Sequence, residues 1–316
     1  MQANVLARTL NMDREAWLQL RNKGIGGSDA AAIAGLSKYK SPVAVYLEKT
    51  GQIEPEEAGE AAYFGNKLEA LVAEEFTLRT GLKVRRRNSL LQHPEHTFML
   101  ANIDREVVGQ KVGLECKTAS AYLKELWEGE EVPMQYLLQC QHYMAVTGYE
   151  AWHIAVLIGG NTFVHKRIER DDELIEQLID LEKDFWENHV LAGVPPLLDG
   201  SEASGELLKK MHPVANEDTE TELPLEADEL LEQLEPAKKA VKEAEERVAE
   251  IENRLKAMLG SHEAGIARHY QVTWKNISSQ RIDSKALKAE HPDIYEKFAN
   301  QSNSRRFSVK QIKEAN

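Results

Sequence analysis

Up to residue 198, apolar positions along the chain recur in two rhythms, one close to 3.6 residues and one of 2. The alternation between them predicts a domain that mixes helices with strands. Residues 11–20 read as a helix, followed by the glycine turn Gly24-Ile25-Gly26-Gly27. Ser28 is placed to cap a second helix through Ala30, Ala31, Ala32 and Ile33. In residues 65–80, Leu68, Leu71, Val72 and Phe76 share one helical face and Gly81 ends the run. Strand-like stretches follow at 82–86, 98–104 and 112–116, then a helix over 136–147 closed by Gly148, then strands at 152–158 and 162–168. This order predicts an α/β (α+β) core over residues 1–198, with a mixed central sheet flanked by helices.

Periodicity fades from residue 194, and residues 199–224, with prolines, small polar residues and acids, read as an acidic linker. Over 225–259 a heptad rhythm takes over, carried by Ala227, Leu230, Leu234, Ala237, Val241, Ala244, Val248, Ile251, Leu255 and Met258. Alternating steps of three and four specify a long helix with a coiled-coil seam, which Pro236 is expected to interrupt. Such a seam serves a helix folded back on its own domain as well as one that docks a partner. Residues 260–316 read as a small α+β tail: a strand over 267–275, a helix capped by Asp283 and running through Glu290, and a second strand over 306–310.

Composition narrows the class. A chain of 316 residues with 42% hydrophobic and 29% charged side chains can bury a substantial core, which excludes a disordered protein. It contains no apolar run near the roughly 20 residues needed to span a bilayer, and its start lacks a signal-peptide pattern, so a cytoplasmic location is expected. Cys116 and Cys140, the two cysteines, are too few for a disulfide framework or a four-cysteine metal site. The net charge of −13 argues against a nucleic-acid partner until its distribution is considered. Residues 171–230 carry −15, the remainder sums to +2, and residues 261–316 carry +4. Lys83, Arg85, Arg86 and Arg87 form a basic run, so local clusters remain that can neutralise phosphates.

The sharpest chemical pattern is Asp104 followed by Glu115, Cys116 and Lys117 in the next strand. A hairpin would bring the carboxylates together, and alternation puts Glu115 and Lys117 on one face with Cys116 opposed. Two carboxylates can hold a divalent cation, and a neighbouring lysine can orient or deprotonate a nucleophilic water. Glu69, on the preceding helix, is a candidate third ligand. Gln139 and Tyr143 lie one helical turn apart and can face the same site. Arg21 and Ser28 suggest an anion site at the start of a helix.

Taken in order, these elements resemble the YqaJ-like viral recombinase family, related in fold to the phage lambda exonuclease family. The resemblance rests on Trp17 and Arg21, Gly26 to Asp29, Gly65-Asn66-Lys67-Leu68-Glu69, Asn102-Ile103-Asp104, Leu114 to Thr118, and Gln139-Cys140-Gln141-His142-Tyr143. It covers roughly residues 14–190, and Trp274-Lys275 with Ser304 to Phe307 resembles the family's C-terminal part. It implies a PD-(D/E)xK nuclease core in which the 5′-ended strand of duplex DNA is degraded from an end. On that implication Asp104, Glu115 and the Cys116 backbone carbonyl ligate Mg²⁺, for which Mn²⁺ would substitute, and Glu69 completes a second metal position. Lys117 activates the water, Gln139 positions it, and Arg21 and Ser28 hold a terminal 5′-phosphate. Ile103 stands where the superfamily's proline would be. Tyr143 and Gln141 are further site candidates, while His142 is expected to be structural. The implied partners are double-stranded DNA ends, a phage single-strand annealing protein and further copies of the chain in a ring such as a trimer. Other readings are a structure-specific or endonucleolytic enzyme of the same fold, a non-catalytic DNA-binding recombination mediator, and an interaction protein built on the coiled coil.

Overall fold

In a computed structural model that describes residues 3–54, 59–216, 219–300 and 304–310, the chain divides into two units, Met1–His212 and Pro213–Asn316. The first begins with β1 (Asn4–Arg8) and α1 (Arg14–Arg21). The Asp13 carboxylate accepts from the Ala16 N–H at 2.8 Å, which satisfies one of the free donors at that helix start. A two-residue strand, β2 (Ile25–Gly26), leads directly into α2 (Gly27–Ile33), and α3 (Pro42–Lys49) follows with Ser41 as its cap. α4 (Glu60–Thr80) ends at Gly81, whose φ of 73° is the left-handed conformation that glycine adopts without strain.

Next come β3 (Val84–Arg86), β4 (Ser89–Gln92), β5 (Met99–Ala101), β6 (Arg105–Val107) and β7 (Val112–Ala119). A 3-10 segment at Ala121–Trp127 precedes α5 (Met134–Thr147), β8 (Ala151–Ile158), β9 (Thr162–Glu169) and α6 (Asp172–Asp184). Of the run expected as one strand over 98–104, only Met99–Ala101 is strand, and residues 102–104 carry the chain on to β6, which belongs to a different sheet. One sheet has the order β1-β4-β5-β2 and the other β3-β6-β7-β8-β9. Both are mixed, with β2 parallel to β5 and β7 parallel to β8.

β8 is an interior strand of the larger sheet, and Trp152, Ile154, Ala155 and Val156 are fully buried there. A strand covered on both faces carries apolar residues at successive positions rather than alternate ones. Gly113 makes the packing possible: a Cβ there would lie 2.3 Å from the Trp152 ring. α5 crosses against this core, with Tyr143, Met144 and Val146 packed into it.

α7 (Glu202–Met211) also belongs to this unit, and its Leu207 is part of the core cluster. The segment read as linker from 199 thus contains a packed helix, because Leu207 supplies an apolar anchor that the surrounding polar residues obscured. In the second unit, α8 (Glu226–Leu259) runs unbroken through Pro236, contrary to the expected interruption. Leu230, Val241, Val248, Ile251 and Met258 on it are exposed. β10 (Ala264–Ile266) and β11 (Gln271–Thr273) form an antiparallel pair, and Asp283 caps α9 (Ser284–Glu290), which α10 (Pro292–Phe298) follows. Residues 306–310 form no strand. Their alternation lacks a partner edge among the described residues, and without cross-strand pairs a strand has little to stabilise it. Among the described residues no helix is long and apolar enough to cross a membrane.

Candidate active site

The chain leaves the smaller sheet after Ala101 and enters the larger one at Arg105, so Asp104 lies on the connector between them. β6 pairs antiparallel with β7, with Arg105 opposite Leu114, which brings Asp104 alongside Glu115 as the hairpin spacing predicts. The Asp104 Oδ2 accepts from the Cys116 N–H at 2.9 Å. In a strand a residue's N–H and C=O point to the same side, so the Cys116 carbonyl is directed towards the Asp104 edge as well.

Glu115 is buried, and its Oε1 accepts from Lys117 Nζ at 2.6 Å and from Gln139 Nε2 at 2.8 Å. Its Oε2 is buried with no hydrogen-bond partner among the described residues. Gln139 Nε2 also reaches the Tyr143 hydroxyl at 3.0 Å, and the Lys117 ammonium lies 5.2 Å from the centre of the Tyr136 ring. The electrostatics follow from this crowding. Burial and the adjacent Glu115 charge push the Asp104 carboxyl well above the carboxylate range. Burial alone would lower the Lys117 pKa, but Glu115 outweighs it and raises it, so Lys117 is a protonated donor. That fits orienting a nucleophile or phosphate rather than accepting a proton.

Glu69, expected to join the carboxylates, faces the site but is engaged by Arg105, with Arg86 NH2 3.6 Å away. Among the described residues no three His, Cys, Asp or Glu side chains gather as a metal-holding group. Two carboxylates, one with an orphaned buried oxygen and the other made basic by its neighbour, form a donor set short of positive charge. Asp104, Glu115 and the Cys116 carbonyl fit a hard divalent cation of the Mg²⁺ kind.

The pocket expected to hold an anion is built differently from expectation. Ser28 is not the helix cap; Gly26 holds that position, and the side chain of Asp29 accepts from its N–H at 3.2 Å. The Ser28 hydroxyl is left free to accept from Arg21 NH2 at 2.7 Å. Asp29, fully buried, also pairs with Lys49 Nζ at 2.8 Å, with Lys40 Nζ at 3.1 Å and with Arg21 at 3.6 Å. Burial raises its pKa, but the three cations together hold it well below the ordinary value. Sequence reasoning did not single out these lysines, which lie on and before α3 and meet Asp29 only in the tertiary fold. Arg21, Ser28, Gln139 and Tyr143 line one cavity of about 140 Å³. Asp104, Glu69, Arg86 and Arg87 line a second of about 190 Å³. Asn102 borders both.

Gln141 does not join the site. Two residues from Gln139 is a turn of about 200° around a helix, and its amide instead bonds the Glu169 carbonyl at 2.9 Å and the Asp171 N–H at 3.1 Å. His142 is buried between Glu182 at 2.8 Å and the Leu100 carbonyl at 2.9 Å, a core position.

Fold and site together define a mixed-sheet α/β protein whose hairpin presents two carboxylates and a lysine beside a guanidinium-lined pocket. Residues 16–150 match the YqaJ-like viral recombinase domain. Over 314 residues, 98% of each chain, the sequence is 46% identical to the uncharacterized protein YqaJ of Bacillus subtilis (strain 168). The chain belongs to the YqaJ-like viral recombinase family. Among solved structures it is similar to the alkaline exonuclease LHK-Exo of Laribacter hongkongensis, with 20% identity, a TM-score of 0.48, and coverage of 64% of this chain and 100% of that one. A phage related exonuclease from Haemophilus somnus 129PT gives 15% identity and a TM-score of 0.44, covering 56% and 99% of the two chains.

Proposed function

We propose that this chain is a Mg²⁺-dependent nuclease that degrades the 5′-ended strand of duplex DNA from an end. The observation that carries the reading is the pairing of the Asp104–Glu115–Lys117–Gln139 cluster with the Arg21–Ser28 pocket, whose wall includes Gln139 itself. The first cluster supplies hydrolytic chemistry. The second gives a terminal phosphate a guanidinium and a hydroxyl, which favours an end over an internal position.

Asp104, Glu115 and the Cys116 carbonyl would hold the cation, for which Mn²⁺ would substitute. When bound, a divalent cation there offsets the charge of the phosphoryl group and makes water a better nucleophile. Lys117, protonated, donates to the attacking water or to a phosphate oxygen. Gln139 fixes Glu115 through one amide N–H and takes its own orientation from Tyr143. Arg21, held by Asp29 and Ser28, receives the terminal phosphate. Glu69 is the reserve ligand, available once Arg105 is drawn away. The implied partners are DNA ends, a single-strand annealing protein that coats the exposed 3′ strand, and further copies of the chain, all in the cytoplasm of a bacterial host.

The test is digestion of linear duplex DNA carrying a 5′-phosphate on one strand only, with Mg²⁺, by the wild type and by Lys117→Ala. Lys117-dependent loss of the phosphorylated strand is expected. Cutting of closed circular DNA would instead establish an endonuclease, and no hydrolysis in any divalent cation would overturn the assignment.

A further inference from the structure

Residues 85–87 form an arrangement that the hydrolytic cluster does not use. β3 is an edge strand of the larger sheet, and Arg85 and Arg86 on it are 67% and 57% exposed in their side chains. Beneath Arg85, on the face of the sheet opposite to the one Arg86 turns to, is a carboxylate that solvent barely reaches. Glu106, 6% exposed, accepts from Arg85 Nε at 2.7 Å, from Arg87 NH1 at 2.8 Å and from the Tyr149 hydroxyl at 2.6 Å. These donors and burial set its pKa in opposition: burial raises it, the hydroxyl and guanidinium bonds win, and it stays ionised. Arg87 also meets the Tyr149 hydroxyl at 3.3 Å.

Each guanidinium has five N–H donors in a fixed fork. Arg85 gives Glu106 only its Nε, so both terminal nitrogens stay without a partner among the described residues. Arg86 approaches Glu69 at 3.6 Å, beyond hydrogen-bond distance. Arg86 and Arg87 line the same cavity as Asp104. Charged side chains on an edge strand also prevent sheets from pairing edge to edge. Blocking alone needs no buried acceptor, whereas here a desolvated carboxylate and a tyrosine fix where the Arg85 and Arg87 guanidinium groups point.

We propose that this edge is a track for the DNA phosphate backbone: Arg86 and Arg87 grip phosphates of duplex entering the Asp104 cavity, Arg85 grips a phosphate from the other face of the edge strand, and Glu106 with Tyr149 is the positioning pair for Arg85 and Arg87. The proposal rests on the nuclease reading. Contacts of this kind carry no base information, so the grip is independent of sequence and sensitive to salt.

The experiment measures duplex binding across a salt series in the Lys117→Ala background without added divalent cation, so that digestion does not compete. Adding Arg85→Gln with Arg86→Gln is expected to weaken binding at least tenfold at moderate salt and to lower the slope of log affinity against log salt by about 1 for each arginine. Arg85→Lys with Arg86→Lys, which keeps the charge, should restore most of the slope. Glu106→Gln should weaken binding with the three arginines intact. Arg79→Gln, exposed on α4 and paired with Glu75, is the control and should leave affinity unchanged. If the double Gln variant binds with the parent's affinity and slope, the track is wrong and the nuclease reading stands. If the parent itself neither binds nor, with Lys117 restored, cleaves duplex DNA, both fall together.

Discussion

At the scale of single residues, Lys117 and Glu115 hold each other. Removing the ammonium leaves Glu115 buried with one donor, Gln139, and no cation. Lys117→Ala is therefore expected to reduce hydrolysis by about 10²–10⁴-fold while the protein stays folded, as single-turnover rates and a thermal melt would show. Glu69→Ala separates two roles: either way buried Arg105 loses its carboxylate and some stability is lost, but only a ligand role predicts loss of cleavage, and unchanged cleavage would reduce Glu69 to a partner of Arg105. Histidines outside the site set an acid limit. Burial lowers His153 to about 4, helped by the nearby Arg167 and His165 charges, and burial brings His93 to about 4 as well. Their folded pKa values lie below the unfolded value of about 6.5. The unfolded chain then binds more protons, so stability is complete above pH 6.5 and falls as pH drops towards 4. Replacing His153 with Gln should flatten that fall by roughly 1–2 kcal/mol, discounted for partial exposure, in urea titrations at pH 7 and pH 5.

At the scale of elements, close approach decides what can change. A Cβ on Gly27 would lie 2.5 Å from the Tyr143 ring, where α2 meets α5. Gly27→Ala should cost about 1–3 kcal/mol from overpacking, and because Tyr143 orients Gln139, it should also slow cleavage; a melt and a rate measured together would show whether both move. The elements also show what the sequence could reveal. The Asp104/Glu115 hairpin and the shared face of Gln139 and Tyr143 follow from periods of 2 and 3.6, which are local properties. The ends of α4 and α5 at Gly81 and Gly148 were legible for the same reason. The end of the 98–104 run at Ala101 was not, since the passage of residues 102–104 from one sheet to the other is decided by distant strands. Nor was the cap at Gly26, where Asp29 displaced Ser28 because its carboxylate was needed both at the turn and by Lys49. The strand β1 escaped notice because its exposed residues show weak alternation.

At the scale of the whole molecule, the core and every candidate site residue lie within Met1–His212. A protein truncated after residue 212 is expected to melt cooperatively and to retain Lys117-dependent hydrolysis; aggregation or loss of cleavage would show that the second unit contributes to folding or chemistry. Mg²⁺ or Mn²⁺ should raise the melting temperature of the full chain by mass action, by about 2.7 kcal/mol of stability at a hundredfold excess over the dissociation constant, and Asp104→Asn should abolish that shift. Asp104 stands on the three-residue passage by which the backbone leaves one sheet for the other. Anything it grasps together with Glu115 acts as a rivet between the two sheets. With a cation bound, amides of Met99–Ala101 and Arg105–Val107 are expected to exchange hydrogen more slowly than without it, and at a common rate.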